Sequence, residues 1–201
     1  MSNYQFSPFP SYGIGDYPFV TWENGFSKEE LNQIIKIGSS LEMSEGKVDS
    51  ENNLKKDVRR ALTSWIEYNN DTAWLYDRLA YITRCLNGKF YKFDLYGFSE
   101  HMQFTEYKAE DQGHYTWHID TGLNPENTFS PRKLSIVLQL SDPEEYEGGD
   151  LELFTSDPPL QILKCKGLVA AFPSYTLHRV TPVTKGIRRT LVVWTTGPSF
   201  R

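Results

Sequence analysis

The chain has four histidines, and two of them stand where they could share an ion with a carboxylate. His118-Ile119-Asp120 lies in a tract of strand-like composition, where a period of two sends the imidazole and the carboxylate to the same face. Taken alone, a His-x-Asp pair is more often a hydrogen-bonded pair than a pair of ligands. His178 changes the balance, because it follows the turn-like Pro173-Ser174 and precedes Arg188 by ten residues. Two imidazoles and one carboxylate fill three positions of an octahedral ion and leave three open, the donor set of a non-haem Fe(II) site. The same donors hold other divalent ions at least as well. Both imidazoles must be neutral to bind, so metal should leave as pH falls through the histidine range.

Arg188 and Arg189 are neighbours in the strand-like run RRTLVVW, so one of them points inward if the strand is half buried. Arg188 shares its parity with Thr190, Val192 and Trp194. A buried guanidinium needs a partner, and a ligand carboxylate held in a bidentate fork is a natural one; a structural Arg–Asp or Arg–Glu pair is the plain alternative. Trp194 could wall the same pocket, although burial in a core is its simpler role, as it is for Trp117. His101 and His114 have no partner at ligand spacing, and His114 is near enough to touch a substrate. Gly148-Gly149 reads as a tight turn or bulge that admits no side chain, and Asp142-Pro143 as a turn. The basic run Lys55, Lys56, Arg59 and Arg60 reads as a solvated face.

Several elements must position these groups. Ser27 and Glu30 have capping-box spacing, and Leu31, Ile34, Ile35 and Ile37 follow at helical intervals. Residues 42–55 are polar and read as a loop, and VRRALTSWIEYN fits strand or helix. Asp71 is placed to cap a second helix in which Leu75, Leu79, Ile82 and Leu86 recur on one face. From about residue 88 the period changes, with short runs (KFYKFDLYGF, EHMQFTEYK, KLSIVLQL, DLELF, GLVAAF, RRTLVVW) separated by Gly, Pro, Asp and Asn. In KLSIVLQL, Leu134, Ile136, Leu138 and Leu140 alternate with Ser135, Val137 and Gln139, as in a strand with one buried face. Helices followed by many short strands predict an α+β, mainly β fold, with helices packed on a β-sandwich or barrel.

Length and composition bound the rest. The 201 residues are enough for one domain with a real core. A hydrophobic fraction of 39% with a mean hydropathy of −0.52 excludes a mostly disordered chain, and no apolar run approaches the about 18 residues of a membrane span. The N-terminal stretch has no basic segment leading into an apolar one, so no secretory leader is expected. With only Cys85 and Cys165, a disulfide framework is not expected and a reducing, cytoplasmic setting is the default. The net charge of −5 argues against stable nucleic-acid binding.

From Gln103 to Trp194 the chain resembles the Fe(II)/2-oxoglutarate-dependent dioxygenases, and within them the prolyl 4-hydroxylase-like, PKHD-type hydroxylase branch. The resemblance is carried by YTWHID at 115–120, LSDPEEYEGGDLELF at 140–154 and FPSYTLHRVTPVTKGIRRTLVVW at 172–194. It implies a double-stranded β-helix (jelly-roll) core, over 88–201, against which the helical support region over 27–87 would pack; residues 1–26, aromatic and rich in Pro and Gly, read as an extended arm. It further implies His118, Asp120 and His178 as ligands of Fe(II), and Arg188 as the group that binds the distal carboxylate of 2-oxoglutarate. The family's pattern has a Tyr three residues before the first ligand, matched by Tyr115, and another on the preceding strand, for which Tyr107 is the candidate. Tyr115 has the opposite parity to His118, so a regular strand would turn it away from the metal, and a bend at Gly113 would restore it. The implied reaction consumes O2 and 2-oxoglutarate, releases succinate and CO2, and hydroxylates an unactivated C–H bond, with ascorbate as a candidate reductant. The branch suggests a peptidyl proline on a peptide or protein substrate. The same chemistry on a free amino acid, another small molecule or a nucleobase stays open, as does a jelly-roll module that holds a metal or carboxylate without turnover. The sequence leaves the oligomeric state open.

Overall fold

A computed structural model describes residues 17–46, 57–121 and 130–199. Its strands are, in order, β1 (Val20–Trp22), β2 (Ser44–Glu45), β3 (Arg59–Arg60), β4 (Leu62–Ile66), β5 (Gly97–Phe98), β6 (Met102–Lys108) and β7 (His114–His118). They continue as β8 (Arg132–Gln139), β9 (Tyr146–Gly148), β10 (Leu151–Leu153), β11 (Leu160–Gln161), β12 (Val169–Pro173), β13 (His178–Val180) and β14 (Val183–Thr196). The helices are α1 (Lys28–Ser40) and α2 (Ala73–Leu86). A major antiparallel sheet runs β1-β12-β8-β14-β6-β4-β2, with β5 and β9 also on β14, and faces a minor sheet β11-β10-β13-β7-β3. The fold is α+β and mainly β, a jelly-roll with helices on one face.

Both helices form for the reasons the sequence offers. At the start of α1, the Ser27 hydroxyl accepts from the Glu30 amide and Glu30 accepts from the Ser27 amide, a reciprocal capping box. Leu75, Leu79, Ile82 and Leu86 form one buried stripe on α2. With Leu31 and Ile34 of α1 they pack on Met102, Phe104, Ile136, Leu138, Leu191 and Val193 of the major sheet. Burying each such side chain is worth about 1.5–3 kcal/mol, which makes this layer the main source of stability. Helix α1 approaches closely at Gly38, where an added Cβ would lie 2.3 Å from the Phe104 ring.

Five expectations need correction. Asp71 does not cap α2: the N-cap is Thr72, and Asn69 Oδ1 instead accepts from the amides of Asp71 and Thr72 in the preceding turn. The run KFYKFDLYGF is not a strand apart from Gly97–Phe98. Helix α2 passes into a π-helical turn, Asn87–Tyr91, which stops at left-handed Lys92 (φ 55°). Its aromatics serve the helix–sheet junction, with Tyr91 fully buried and donating to Ala171 O (2.9 Å), and buried helix ends and buried strands share that composition. Within the polar stretch 42–55, Ser44–Glu45 pairs with β4, while residues 47–55 lie outside the described residues. The helical support region also supplies strands to both sheets, through β2 and β4 to the major and β3 to the minor. Of the arm, residues 1–16 lie outside the described residues, whereas Val20–Trp22 pairs with β12 at the sheet edge.

The fifth correction bears on function. β8 is buried on both faces, not one. Leu134, Ile136 and Leu138 face the helices, while Ser135, Val137 and Gln139 face the space between the sheets. β14 repeats the pattern, with Leu191 and Val193 in the helical layer and Arg188, Thr190, Val192 and Trp194 lining a cavity on the other side.

Candidate metal centre and its cavity

His118 ends β7, Asp120 lies two residues beyond it, and His178 opens β13, which pairs with β7 so that His178 stands opposite His118. Their ligand atoms all lie within 4.8 Å of one another. Asp120 Oδ2 is 3.4 Å from His178 Nε2, and Oδ1 is 3.7 Å from His118 Nε2. Neighbouring donors of an octahedral ion bonded at about 2.1 Å would sit about 3 Å apart, so a bound ion would draw these groups inward. Among the described residues this is the one such group of three.

The surroundings prepare each group to bind. Nδ1 of His118 lies 2.7 Å from Thr116 O and Nδ1 of His178 lies 2.8 Å from Thr176 O. A carbonyl only accepts, so each Nδ1 carries the proton and each Nε2 lone pair faces the shared centre, the outer-shell arrangement of metal-binding imidazoles. Burial, reinforced by His178 and opposed by Asp120, pushes His118 down to about 4, which keeps it neutral at ordinary pH. Burial alone would raise Asp120, but His178 and then His118, with the Ser135 hydroxyl donating to Oδ2 (2.8 Å), hold it below the usual carboxylate range. The Asp120 amide donates to Ser174 O (2.8 Å), which pins the loop carrying the carboxylate.

These groups open into a cavity of 490 Å³ that is also lined by Arg188, Tyr107, Tyr115, Arg59, Gln103, Trp65, Arg132 and Trp194. The two adjacent arginines of β14 divide as strand parity requires. Arg189 points away and donates to Glu106 (2.7 Å), whereas Arg188 is 3% exposed and has no carboxylate partner among the described residues. The Gly148-Gly149 turn, with φ of 70° and 61°, lets the chain pass against it, and a Cβ on Gly149 would come within 2.9 Å of Arg188 Cδ. The buried Tyr146 hydroxyl accepts from Gln139 Nε2 (2.8 Å) and lies beside Arg188. Burial pushes this phenol up despite the opposing Arg188 charge, so it keeps its proton.

Tyr107 is 4% exposed, packs in the inner core, lines the cavity and lies under the Arg188 guanidinium at 5.4 Å. Tyr115 also reaches the cavity, but not through a bend at Gly113. β7 carries a bulge: three residues from Tyr115 to His118 match two from Val180 to His178. The extra residue reverses the parity, and the Tyr115 ring stacks on His118 with centroids 3.5 Å apart. Gly113 is required for another reason, since a Cβ there would lie 2.6 Å from Lys108 N. His114 turns away, its ring nitrogens on Gln112 O and Asp57 O, and Trp117 sits between Phe154 and Arg179 on the outer surface instead of in a core. Trp194 is both buried and a wall of the cavity.

Two cationic cavity residues were missed. Arg132 lies 3.9 Å over the Trp194 ring and is paired with Glu100. Arg59 belongs to the run read as a solvated face, yet it is buried in the cavity wall. Lys55 and Lys56 of that run lie outside the described residues. The available signal was the parity argument already applied to Arg188-Arg189, because Arg59-Arg60 is also a doublet on a strand.

Comparisons with known proteins agree with this arrangement. Residues 102–196 match the profile of the 2OG-Fe(II) oxygenase superfamily. A PKHD-type hydroxylase of Synechococcus sp. (strain CC9311) is 39% identical over 87 residues, which is 43% of this chain and 38% of that protein. The PKHD-type hydroxylase YbiX of Escherichia coli is 37% identical over 82 residues, 40% of this chain and 36% of the relative. The matched stretch thus spans well under half of these curated relatives. Among solved structures, a Pseudomonas putida prolyl-4-hydroxylase superposes with a TM-score of 0.71 at 16% identity, over 92% of this chain and 96% of that one. A Trichoplax adhaerens prolyl hydroxylase, solved with a peptide fragment of the hypoxia inducible factor oxygen degradation domain, gives 0.74 at 19% identity, over 92% and 86%. At these identities the superpositions establish the shared fold.

Proposed function

We propose that this chain, whose β-core belongs to the 2OG-Fe(II) oxygenase superfamily in its PKHD-type, prolyl 4-hydroxylase-like branch, is an Fe(II)- and 2-oxoglutarate-dependent hydroxylase. The observation that carries this reading is the convergence, in one cavity, of two Nε2 atoms, one carboxylate and the buried Arg188, which has no carboxylate partner among the described residues. The donor set fits Fe(II), with three coordination positions left over and His118 neutral at working pH. When bound, the metal supplies activation of O2 coupled to the conversion of 2-oxoglutarate to succinate and CO2, with one oxygen atom passing to a substrate C–H bond.

The chain's own residues bind, orient and exclude water. His118, Asp120 and His178 hold the ion. Arg188 takes the distal carboxylate of 2-oxoglutarate in its fork, and Tyr146, which accepts from Gln139, donates its free proton to the same carboxylate. Tyr107 backs Arg188, and Tyr115 holds the His118 ring by stacking. Fe(II) with Asp120 carries a formal +1, the cosubstrate brings −2, and Arg188 returns the site to neutrality. One domain spans the chain, and ascorbate serves as an external reductant.

The cavity rim favours a peptidyl substrate, and the likeness to prolyl hydroxylases suggests proline as the acceptor. Trp65 and Ile119 line the cavity but are 41% and 50% exposed, an apolar mouth open to solvent and suited to an extended chain more than to a sealed small molecule. Among the described residues no helix is long and apolar enough to cross a membrane. The free Cys85 and Cys165 fit a reducing compartment such as the cytoplasm. The test is succinate formation from 2-oxoglutarate by anaerobically iron-loaded protein exposed to air, with and without a proline-rich peptide. Iron-dependent turnover stimulated by the peptide supports the reading. Binding of metal and 2-oxoglutarate with no succinate under any condition replaces it with the non-catalytic binding module.

A further inference from the structure

Of the described arginines only Arg59 and Arg188 are buried, and they are the ones that lack a carboxylate where one is most needed. The more exposed Arg78, Arg132, Arg179 and Arg189 are paired with Glu30, Glu100, Glu152 and Glu106 respectively. This inverts the ordinary economy of charge, in which buried guanidinium groups are the paired ones. Arg59 and Arg188 also line the same cavity.

Arg59 is held as a receptor would be. Its backbone pairs with Tyr115 across β3 and β7, its Nη2 donates to Gln103 Oε1 (2.8 Å), and its guanidinium lies 4.7 Å over the Tyr115 ring. That ring stacks in turn on His118, so Arg59 stands one aromatic ring away from the metal cluster. Gly46 closes one edge, where an added Cβ would lie 2.7 Å from Nε. Nε is buried without a hydrogen-bond partner, and both Gln103 and Tyr115 are neutral groups that orient the cation without cancelling it. With metal, Asp120, 2-oxoglutarate and Arg188 summing to zero, and Arg132 neutralised by Glu100, Arg59 leaves the loaded cavity with one positive charge that no carboxylate of the described residues compensates.

We propose that Arg59 binds a carboxylate of the substrate, so that the molecule hydroxylated carries a negative charge close to the carbon that reacts. This rests on the oxygenase reading above and specifies its substrate class as anionic. The carboxylate has two sources, the α-carboxylate of a free or C-terminal amino acid and the side chain of an acidic residue beside a peptidyl proline.

The experiment titrates metal-loaded protein without oxygen, with and without 2-oxoglutarate, against two pairs of probes that differ only in charge. One pair is L-proline and L-prolinamide; the other is acetyl-Gly-Pro-Asp-amide and acetyl-Gly-Pro-Asn-amide. Wild type should bind the carboxylate member of one pair about tenfold or more tightly than its amide, and which pair responds identifies the source. In Arg59→Gln that preference should shrink to within about twofold, and in Arg59→Lys, which keeps the charge but not the fork, it should be intermediate. Both variants should keep 2-oxoglutarate binding, which reports an intact fold and Arg188 pocket. Equal binding of acid and amide in both pairs, binding of no probe, or a preference that survives in Arg59→Gln overturns the proposal. Failure of the wild type to bind 2-oxoglutarate at all counts against the oxygenase reading instead, and the charge preference is then read from the titrations made without it.

Discussion

The two faces of the major sheet are built from the same strands and do opposite work. On the helical side, Leu191 and Val193 of β14 and Leu134, Ile136 and Leu138 of β8 are closed under α1 and α2 in an apolar layer. One residue along each strand, Arg188, Thr190, Ser135 and Gln139 face the space between the sheets, where Arg188 meets no charge partner among the described residues. The helical face gains from being finished. The inner face is left incomplete, with Nε2 lone pairs and a guanidinium that a metal and an anion would complete, so its stability depends on what binds there.

That contrast can be broken from either side. Asp120→Ala should have the largest effect, removing the anionic ligand between two imidazoles and cutting metal-dependent turnover by about a thousandfold or more, with far-UV circular dichroism unchanged; a variant that keeps a substantial fraction of activity would discredit the cluster. Leu79→Ala on the helical face should cost about 2–5 kcal/mol in denaturant unfolding while leaving 2-oxoglutarate affinity nearly intact. A large loss of affinity there would mean that the two faces are energetically fused. Arg188→Gln should weaken 2-oxoglutarate binding by about 10- to 100-fold, read by calorimetry on metal-loaded protein, corresponding to one charged hydrogen-bonded fork.

Smaller effects sharpen the comparison. Tyr146→Phe removes only the phenolic hydroxyl beside Arg188 and should weaken 2-oxoglutarate about three- to tenfold without changing metal affinity. The pH dependence follows from His118, which is held at about 4 in the folded chain against 6.5 unfolded. Between those values the unfolded chain binds the extra proton, so metal-free stability from this group is full above about 6.5 and is lost as pH falls toward 4. His118→Gln should flatten that part of the curve in urea titrations at stepped pH; an unchanged slope would assign the acid sensitivity elsewhere.

Much of this was legible from residue order. The capping box at Ser27 and Glu30 and the stripe Leu75, Leu79, Ile82 and Leu86 are local patterns, and local patterns survive because the contacts they encode lie within a few residues. His118, Asp120 and His178 were legible because metal chemistry restricts donor types so severely; strand parity forced one arginine of the doublet inward, and the family resemblance pointed to Arg188. The misreadings have the opposite character. Asp71 is not the cap because the helix begins one residue later, with Thr72 as its cap, after a turn held by Asn69, and the aromatic run 90–98 looked like strand because period and composition do not separate buried helix ends from buried strands.

By itself, then, the sequence determined the class of chemistry: two imidazoles, a carboxylate and an inward arginine allow few alternatives, and their residue types are visible without coordinates. Tertiary structure decided which aromatic and cationic groups surround that chemistry. A single extra residue in β7 brought Tyr115 onto His118, and the pairing of β3 with β7 carried Arg59 from an apparent surface run into the cavity wall. Both depend on register between segments far apart in the chain, and register is set by the packing of whole sheets, which no local window of sequence contains.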